Sequence, residues 1–178
     1  MDILRTYRLG GESGFTLLEV ILTFLIVSAL AIFAAVSIWS AVYTFRLSSA
    51  SAKVVHDIRF AQQQAMSHNG WYGISFSADP VNQYSVYSTD GTTDTNVTDP
   101  SSRGATLVVN LKTSYDAVIS AVNIDGGTKV EFSPMGEPYT DKNGSAIALD
   151  GSLSIVAGTK TKTISISKST GRVDTPWN

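Results

Sequence analysis

The sequence predicts an α+β protein: one long N-terminal helix, with a membrane half and an amphipathic half, packed on a C-terminal antiparallel β-sheet or sandwich domain. Three observations predict it. From Val20 to Phe45 there is no Asp, Glu, Lys, Arg or His, a run longer than the roughly 20 residues that carry a helix across a bilayer core. From Phe15 to Asn69 there is neither Gly nor Pro, in a chain with 14 Gly. A continuous helix is therefore allowed, because the two strongest helix breakers are missing. Beyond Gly70, short alternating apolar segments recur between turn residues, the pattern of short antiparallel strands.

The helix begins beside an acid that a plain membrane anchor would not carry. Glu19 stands four residues after Phe15, at the start of the uncharged run. An unpaired carboxylate in hydrocarbon costs a few kcal/mol, so such an acid demands a partner. A cut between Gly14 and Phe15 would supply one, since a new α-amine with an ordinary pKa of roughly 8 is mostly cationic near neutral pH. Within one helix the two groups would stand about 6 Å apart at 1.5 Å rise per residue. A closer pair forms between neighbouring copies staggered along their axes. A secretory signal peptide cut near SSASA at 48–52 and a simple anchor both leave Glu19 unexplained.

Gly14, Phe15 and Glu19, followed by an apolar helix, resemble the class III leader of type IV pilins and type II secretion pseudopilins. The resemblance implies cleavage after Gly14 by a prepilin peptidase, N-methylation of Phe15, and pairing of Glu19 with a neighbour's amine during assembly. It divides the chain into a leader at 1–14, a transmembrane and filament-core helix at 15–45, an amphipathic helix at 46–69 and a β-rich head at 70–178. The partners it implies are other pilin or pseudopilin subunits, the peptidase, an inner-membrane assembly platform and, before assembly, membrane lipid. Major pilins commonly carry helix-loosening Gly or Pro in the membrane half. Here Ser28 and Val36 occupy such places, which favours a minor pilin or pseudopilin.

Charge and cysteine content limit the alternatives. With 13 basic and 15 acidic residues the net charge is -2, so nothing global draws the chain to nucleic acid or acidic lipid. There is no Cys, which removes disulfides and thiolate metal sites. Arg5 and Arg8 precede the apolar run, and the positive-inside tendency holds them in the cytoplasm. The bulk of the chain then faces the periplasm or the cell exterior, and the leader resemblance implies a single-pass inner-membrane protein with a periplasmic head that passes into a pilus or pseudopilus. Arg46 and Lys53 follow the run and dilute that asymmetry, so orientation rests mainly on the leader.

The second half of the helix changes character. Leu47, Ser51, Val54, Ile58, Ala61 and Ala65 recur at alternating spacings of four and three, a stripe that is mostly apolar and suited to packing on a sheet. Lys53 and Asp57 form an i,i+4 pair away from that stripe. At Asn69-Gly70 the pattern stops, with Gly70 expected as the C′ residue. Trp71 to Ala78 and Gln83 to Ser88 flank the turn signal ADPVN and predict a hairpin. Thr89 to Gly104 is polar and reads as a long exposed loop. Further strands are expected at 105–111, 117–124, 128–132, 145–149, 152–156 and 161–167, with a last short one near Arg172.

A second resemblance lies toward the C-terminus. VEFSPMGEP at 130–138 and ISISKSTGRV at 164–173 resemble the minor pseudopilin H and FimT-like family. There a Phe leads into a Gly-containing turn, and a closing strand ends in a hairpin of Thr-Gly-Arg-Val type.

Catalytic groups are scarce. His56 and His68 are the two histidines, and twelve residues separate them on the helix, so they share no turn. No enzymatic activity and no cofactor are expected. Asp90, Asp94, Asn96 and Asp99 cluster in the polar loop and offer hard oxygen ligands of the kind that hold Ca²⁺, although any solvated turn contains such residues. Lys160, Lys162, Lys168 and Arg172 gather near the C-terminus. If Lys160, Lys162 and Lys168 alternate on one strand face, they form a basic stripe for phosphates; lysines also protect edge strands from pairing. The expected function is that of a minor pilin or pseudopilin, a structural subunit of a type II secretion pseudopilus or type IV pilus. The alternative is a DNA-binding minor pilin acting in DNA uptake.

Overall fold

The computed structural model describes residues 14–102 and 104–175, without the side chains of 33–37. Arg5 and Arg8 of the expected leader thus lie outside the described residues, as does the side chain of Val36. Two compact units make up the chain, Met1–Ser40 and Ala41–Asn178.

One helix, α1 (Leu17–His68), provides the described helical residues of the first unit and opens the second. In the first unit its large apolar side chains, among them Leu18, Phe24, Leu25 and Leu30, are exposed. The hydroxyls there turn back on the helix. Thr23 Oγ1 donates to the Val20 carbonyl and Ser28 Oγ to the Leu25 carbonyl, at 2.8 and 3.0 Å, so both are paired without a partner outside the helix. Among the described residues, no helix is long and apolar enough to cross a membrane.

In the second unit the expected stripe is the buried face. Leu47, Ser51, Val54, Ile58, Ala61 and Ala65 are all buried, joined by Ala50. Ser51 fits this apolar face because its hydroxyl donates to the Leu47 carbonyl at 2.7 Å. The helix ends through Asn69 rather than Gly70: Asn69 takes the left-handed conformation at φ 50. The Gly70 N–H then reaches back to the Ala65 carbonyl at 3.1 Å. That is the 6→1 bond of a Schellman cap, with Asn69 as C′ and Gly70 as C″.

Two antiparallel sheets follow. The hairpin of β1 (Trp71–Ser77) and β2 (Gln83–Thr89) pairs in full register from Trp71↔Thr89 to Ser77↔Gln83. The polar loop is not structureless, because β3 (Asp94–Asn96) returns along β2. Next, β4 (Val108–Asn110) pairs with the other half of β2 and runs into a short helix, α2 (Leu111–Tyr115). The strand expected at 105–111 therefore stops early. Asn110 caps α2 by accepting the Thr113 N–H, and Asp116 closes it in the left-handed region. Two local side-chain signals thus override the apolar alternation around them.

After α2 come β5 (Val118–Asn123), β6 (Lys129–Phe132), β7 (Pro138–Tyr139), β8 (Gly151–Ala157), β9 (Lys160–Ile166) and β10 (Val173–Asp174). The first sheet runs β3-β2-β1-β6-β7, with β4 also on β2; the second runs β10-β9-β8-β5. No strand forms at 145–149, where Ala146 makes a single bridge to Tyr139. Inward residues of both sheets, such as Ile74, Phe76, Val86, Phe132, Leu153 and Ile164, join the α1 stripe in one core cluster. In β8 the alternation of buried and half-buried residues is unbroken, as a strand with one face on a core requires.

Candidate functional site

The residues expected to serve processing and assembly, Gly14, Phe15 and Glu19, lie just before and within the first turn of α1. Thr16 is the N-cap: its carbonyl accepts the Val20 N–H at 3.2 Å and its Oγ1 accepts the Glu19 N–H at 3.3 Å. This satisfies one of the donors that a helix start leaves open and places Glu19 at the third helical position. Thr16-x-x-Glu19 is a capping-box spacing, a signal in the sequence that reading Glu19 as a membrane acid alone overlooks. Gly14, Phe15 and Glu19 are all exposed. A Cβ built on Gly14 meets nothing within 4 Å, so packing among the described residues does not call for glycine there.

In the second unit α1 grips both C-terminal turns. Gln62 Nε2 donates to the Gly136 carbonyl and to the Thr170 carbonyl, each at 2.8 Å, and Arg59 Nη2 donates to the Val173 carbonyl at 2.9 Å. Gly136 and Gly171 have φ of 81 and 65, where a side chain is strained. A Cβ at Gly171 would also fall 2.8 Å from Gln62 Nε2 and from Phe132 Cε1. The glycines of VEFSPMGEP and STGRV therefore let two turns approach one glutamine. Sequence reading found the two motifs but not the residue that joins them.

Two buried carboxylates carry the remaining polar order. Asp57, expected off the apolar stripe as the i,i+4 partner of Lys53, is buried and accepts the Tyr84 hydroxyl at 2.7 Å and Lys53 Nζ at 2.8 Å. His56 Nδ1 lies 3.1 Å from the same carboxylate. Glu131 is likewise buried and takes the Tyr87 hydroxyl at 2.9 Å, Lys129 Nζ at 3.0 Å and the Lys142 N–H at 2.6 Å. Burial, reinforced by the adjacent carboxylates, pushes both tyrosine hydroxyls well above their ordinary range. Neither is poised as a base or nucleophile near neutral pH. His68, the other histidine, has its Nδ1 beside Ser67 Oγ and the Gln64 carbonyl at the end of α1.

The acidic loop folds on itself. Asp90 Oδ1 accepts Thr92 N, Thr92 Oγ1 and Thr93 N, and these bonds hold its pKa down to about 2. Asp99 Oδ1 does the same for Ser101, and its pKa is lowered for that reason. Asp94 and Asn96 lie on exposed β3. Among the described residues, no group of three or more His, Asp or Glu is placed to hold a metal ion.

The four C-terminal cations do not form one stripe. Lys160 and Lys162 share a face at the start of β9, whereas Lys168 follows the end of that strand. The Lys168 N–H is held by Asp150 Oδ1 at 2.9 Å, and Arg172 is paired through Nε and Nη2 with Asp174. At roughly 3.3 Å per strand residue, β9 separates the first two lysines from the last two cations by about 20 Å.

Comparison with known proteins follows the fold. The family described as Type II transport protein GspH matches residues 50–170. Among solved structures, the type IV minor pilin FimU of Pseudomonas aeruginosa (strain PAO1) is similar over 73% of this chain and 87% of that one, with 16% identity and a TM-score of 0.50. The minor pseudopilin EpsH of the Vibrio cholerae type II secretion system is similar over 74% of this chain and 96% of that one, with 10% identity and a TM-score of 0.53. A second EpsH structure from the type II secretion system of that organism gives 12% identity, coverage of 75% and 94%, and a TM-score of 0.53. Comparison with curated protein sequences gave no match.

Proposed function

Because the chain belongs to the GspH family of type II transport proteins, a family of structural subunits facing the periplasm, we propose that it is processed and assembled through the first turn of α1. It is a minor pilin or pseudopilin, a subunit of a type II secretion pseudopilus or type IV pilus that assembles with other such subunits. In the proposed sequence of events, the precursor sits in the inner membrane with α1 across it. A prepilin peptidase cuts between Gly14 and Phe15, and Phe15 becomes the methylated amino terminus. An assembly platform then brings subunits together, and Glu19 of one meets the Phe15 amine of the next. The head at 70–178 stays periplasmic, the work is mechanical, and no catalytic step or cofactor is required.

The observation that carries this reading is the combination of an exposed, sterically open Gly14-Phe15 bond with a capped helix that presents Glu19 in its first turn. Packing among the described residues does not call for Gly14, so recognition by another protein is a better reason for it. The exposed apolar side chains of the first unit exchange lipid for the helices of neighbours as the filament forms. Mass spectrometry of the protein from its native envelope should find a methylated amino terminus at Phe15. A mature protein that still carries residues 1–14 would refute the proposal. Glu19→Ala should abolish incorporation into filaments while the head remains folded.

A further inference from the structure

Four segments of the second unit meet where the chain enters it. At Gly158, in the turn between β8 and β9, a Cβ would fall 2.6 Å from Tyr43 Cδ1, so that turn lies on α1 close to Ala41. One helical turn further, Arg46 pairs with Asp116, which closes α2 and also binds Lys112. Val118 at the start of β5 pairs with Val156 near the end of β8, which keeps α2 beside the β8–β9 turn. The β1–β2 turn joins them through Asp79 N to the Ile119 carbonyl at 3.1 Å.

This end of the unit is basic and apolar in a chain of net charge -2. The segments 41–46, 78–82, 111–118 and 157–162 bring Arg46, Lys112, Lys160 and Lys162 against two acids, Asp79 and Asp116. Asp116 is engaged by Arg46 and Lys112, and Asp79 Oδ1 accepts Asn82 Nδ2. Two large apolar side chains stand among them in the open: Phe45 is 73% exposed and Val81 51%. Neither has a place in the core.

We infer that this end of the head is a docking surface for anionic phospholipid headgroups, with Lys160 meeting phosphate and Phe45 and Val81 entering the headgroup boundary. The inference rests on the membrane reading of α1 proposed above and adds a second contact to it. Phosphate is common to lipid and nucleic acid, but two observations favour lipid. Exposed apolar residues between cations suit a surface with acyl chains beneath its charges, whereas a phosphate backbone alone rewards only the cations. Phe45 is also the last residue of the uncharged run that opens at Val20. The surface therefore begins where a membrane-embedded segment would end, at the depth where aromatic side chains gather at both membrane interfaces. Before assembly the contact holds the head against the bilayer; extraction into a filament releases it.

The absence of Cys allows a direct test on the full chain in nanodiscs. A single fluorophore is attached at Thr159→Cys in the β8–β9 turn or, as a control, at exposed Ser169→Cys beyond the other end of β9. Discs contain phosphatidylcholine alone, or roughly one-third phosphatidylglycerol, with a nitroxide on the headgroup. Quenching is expected at position 159 and not at 169, and it should strengthen with the anionic lipid. Lys160→Gln should lower the contact equilibrium by roughly fivefold, the effect of one charge near such a surface, and Phe45→Ser should weaken it as well. A chain that incorporates into discs but shows no quenching at 159 overturns the inference and leaves the membrane reading standing. A chain that fails to incorporate sinks the membrane reading and this inference with it. Duplex DNA that shifts the 159 signal in a Lys160-dependent way, where anionic discs do not, would assign the surface to nucleic acid and overturn the lipid assignment.

Discussion

Tyr87 reaches Glu131 across Gly73. In the first sheet Gly73 is the register partner of Tyr87 on one side and of Glu131 on the other, and the tyrosine hydroxyl passes over it to the carboxylate at 2.9 Å. A Cβ on Gly73 would lie 2.7 Å from Tyr87 Cζ and 2.8 Å from Glu131 Cγ. Both neighbours sit on flanking strands with buried side chains, so neither can move aside cheaply. The glycine is there for the space, a use that a glycine inside a strand often signals.

Gly73→Ala should therefore cost about 1–3 kcal/mol, the range for overpacking a well-packed site. Tyr87→Phe removes the bond but keeps the ring, and leaves Glu131 one donor short, for a loss of about 1–3 kcal/mol. Denaturant unfolding of the two single variants and the double variant checks the coupling. Because both changes disturb one contact, the double variant should lose less than the sum of the singles. Strict additivity would show that Gly73 serves some other purpose.

Gln62 gives a second prediction. Its Nε2 donates to the Gly136 and Thr170 carbonyls and so ties α1 to two turns distant in sequence. Gln62→Ala should free both turns while leaving the α1 stripe and the sheets in place. Amide hydrogen exchange is the suitable measurement: the Gly136 and Gly171 N–H groups, bonded to the Ser133 and Ser167 carbonyls, should lose protection together. Losing only one would mean that the turns are held separately.

Much of this fold was legible in the residues, and the exceptions share a cause. The α1 stripe and the β1–β2 hairpin follow from period and turn chemistry, which are local. The spacing gives the Lys53–Asp57 pair but not the burial of Asp57, because its partner Tyr84 is distant in sequence and meets it only in the folded core. The same holds for Glu131 and Tyr87, where nothing in KVEF marks the acid as buried. The helix α2 escaped notice because its signal is a single Asn cap over five residues. At the amino terminus, Glu19 could be singled out as an acid opposite an apolar run. Thr16 could have been found beside it by the capping-box spacing. The basic residues at 160–172 are neighbours in sequence but not in space, because β9 separates Lys160 and Lys162 from Lys168 and Arg172.

The buried tyrosines set a pH limit. Tyr84 and Tyr87 hold their protons more tightly folded than unfolded, where the ordinary value is 10.0. Above that value the unfolded chain binds fewer protons than the folded one, so stability falls as pH rises; below it this contribution is fully present. Lys129, its pKa raised by Asp141 and Glu131 despite its partial burial, acts in the same sense. Unfolding free energy should therefore decline above about pH 10. Tyr84→Phe should make the decline shallower, since one of the groups that cause it is gone while Tyr87 and Lys129 remain. An unchanged slope in that variant would place the alkaline loss elsewhere.

Asp57 gives the sharpest test of what holds α1 to the sheets. Its two oxygens are divided, Oδ1 taking Lys53 and His56 and Oδ2 taking Tyr84. Asp57→Ala would strand the Tyr84 hydroxyl, which is buried at 1% exposure. Removing one partner of a buried polar pair costs more than the pair's net contribution, so a loss of about 2–4 kcal/mol is expected. Tyr84→Phe alone should cost less, about 1–2 kcal/mol, because Asp57 keeps its lysine. The double variant Asp57→Ala and Tyr84→Phe should recover part of the loss, since no donor is then left unpaired. Thermal unfolding of the three variants decides the matter: a double variant less stable than Asp57→Ala would mean that Lys53, rather than Tyr84, is what the carboxylate is buried for.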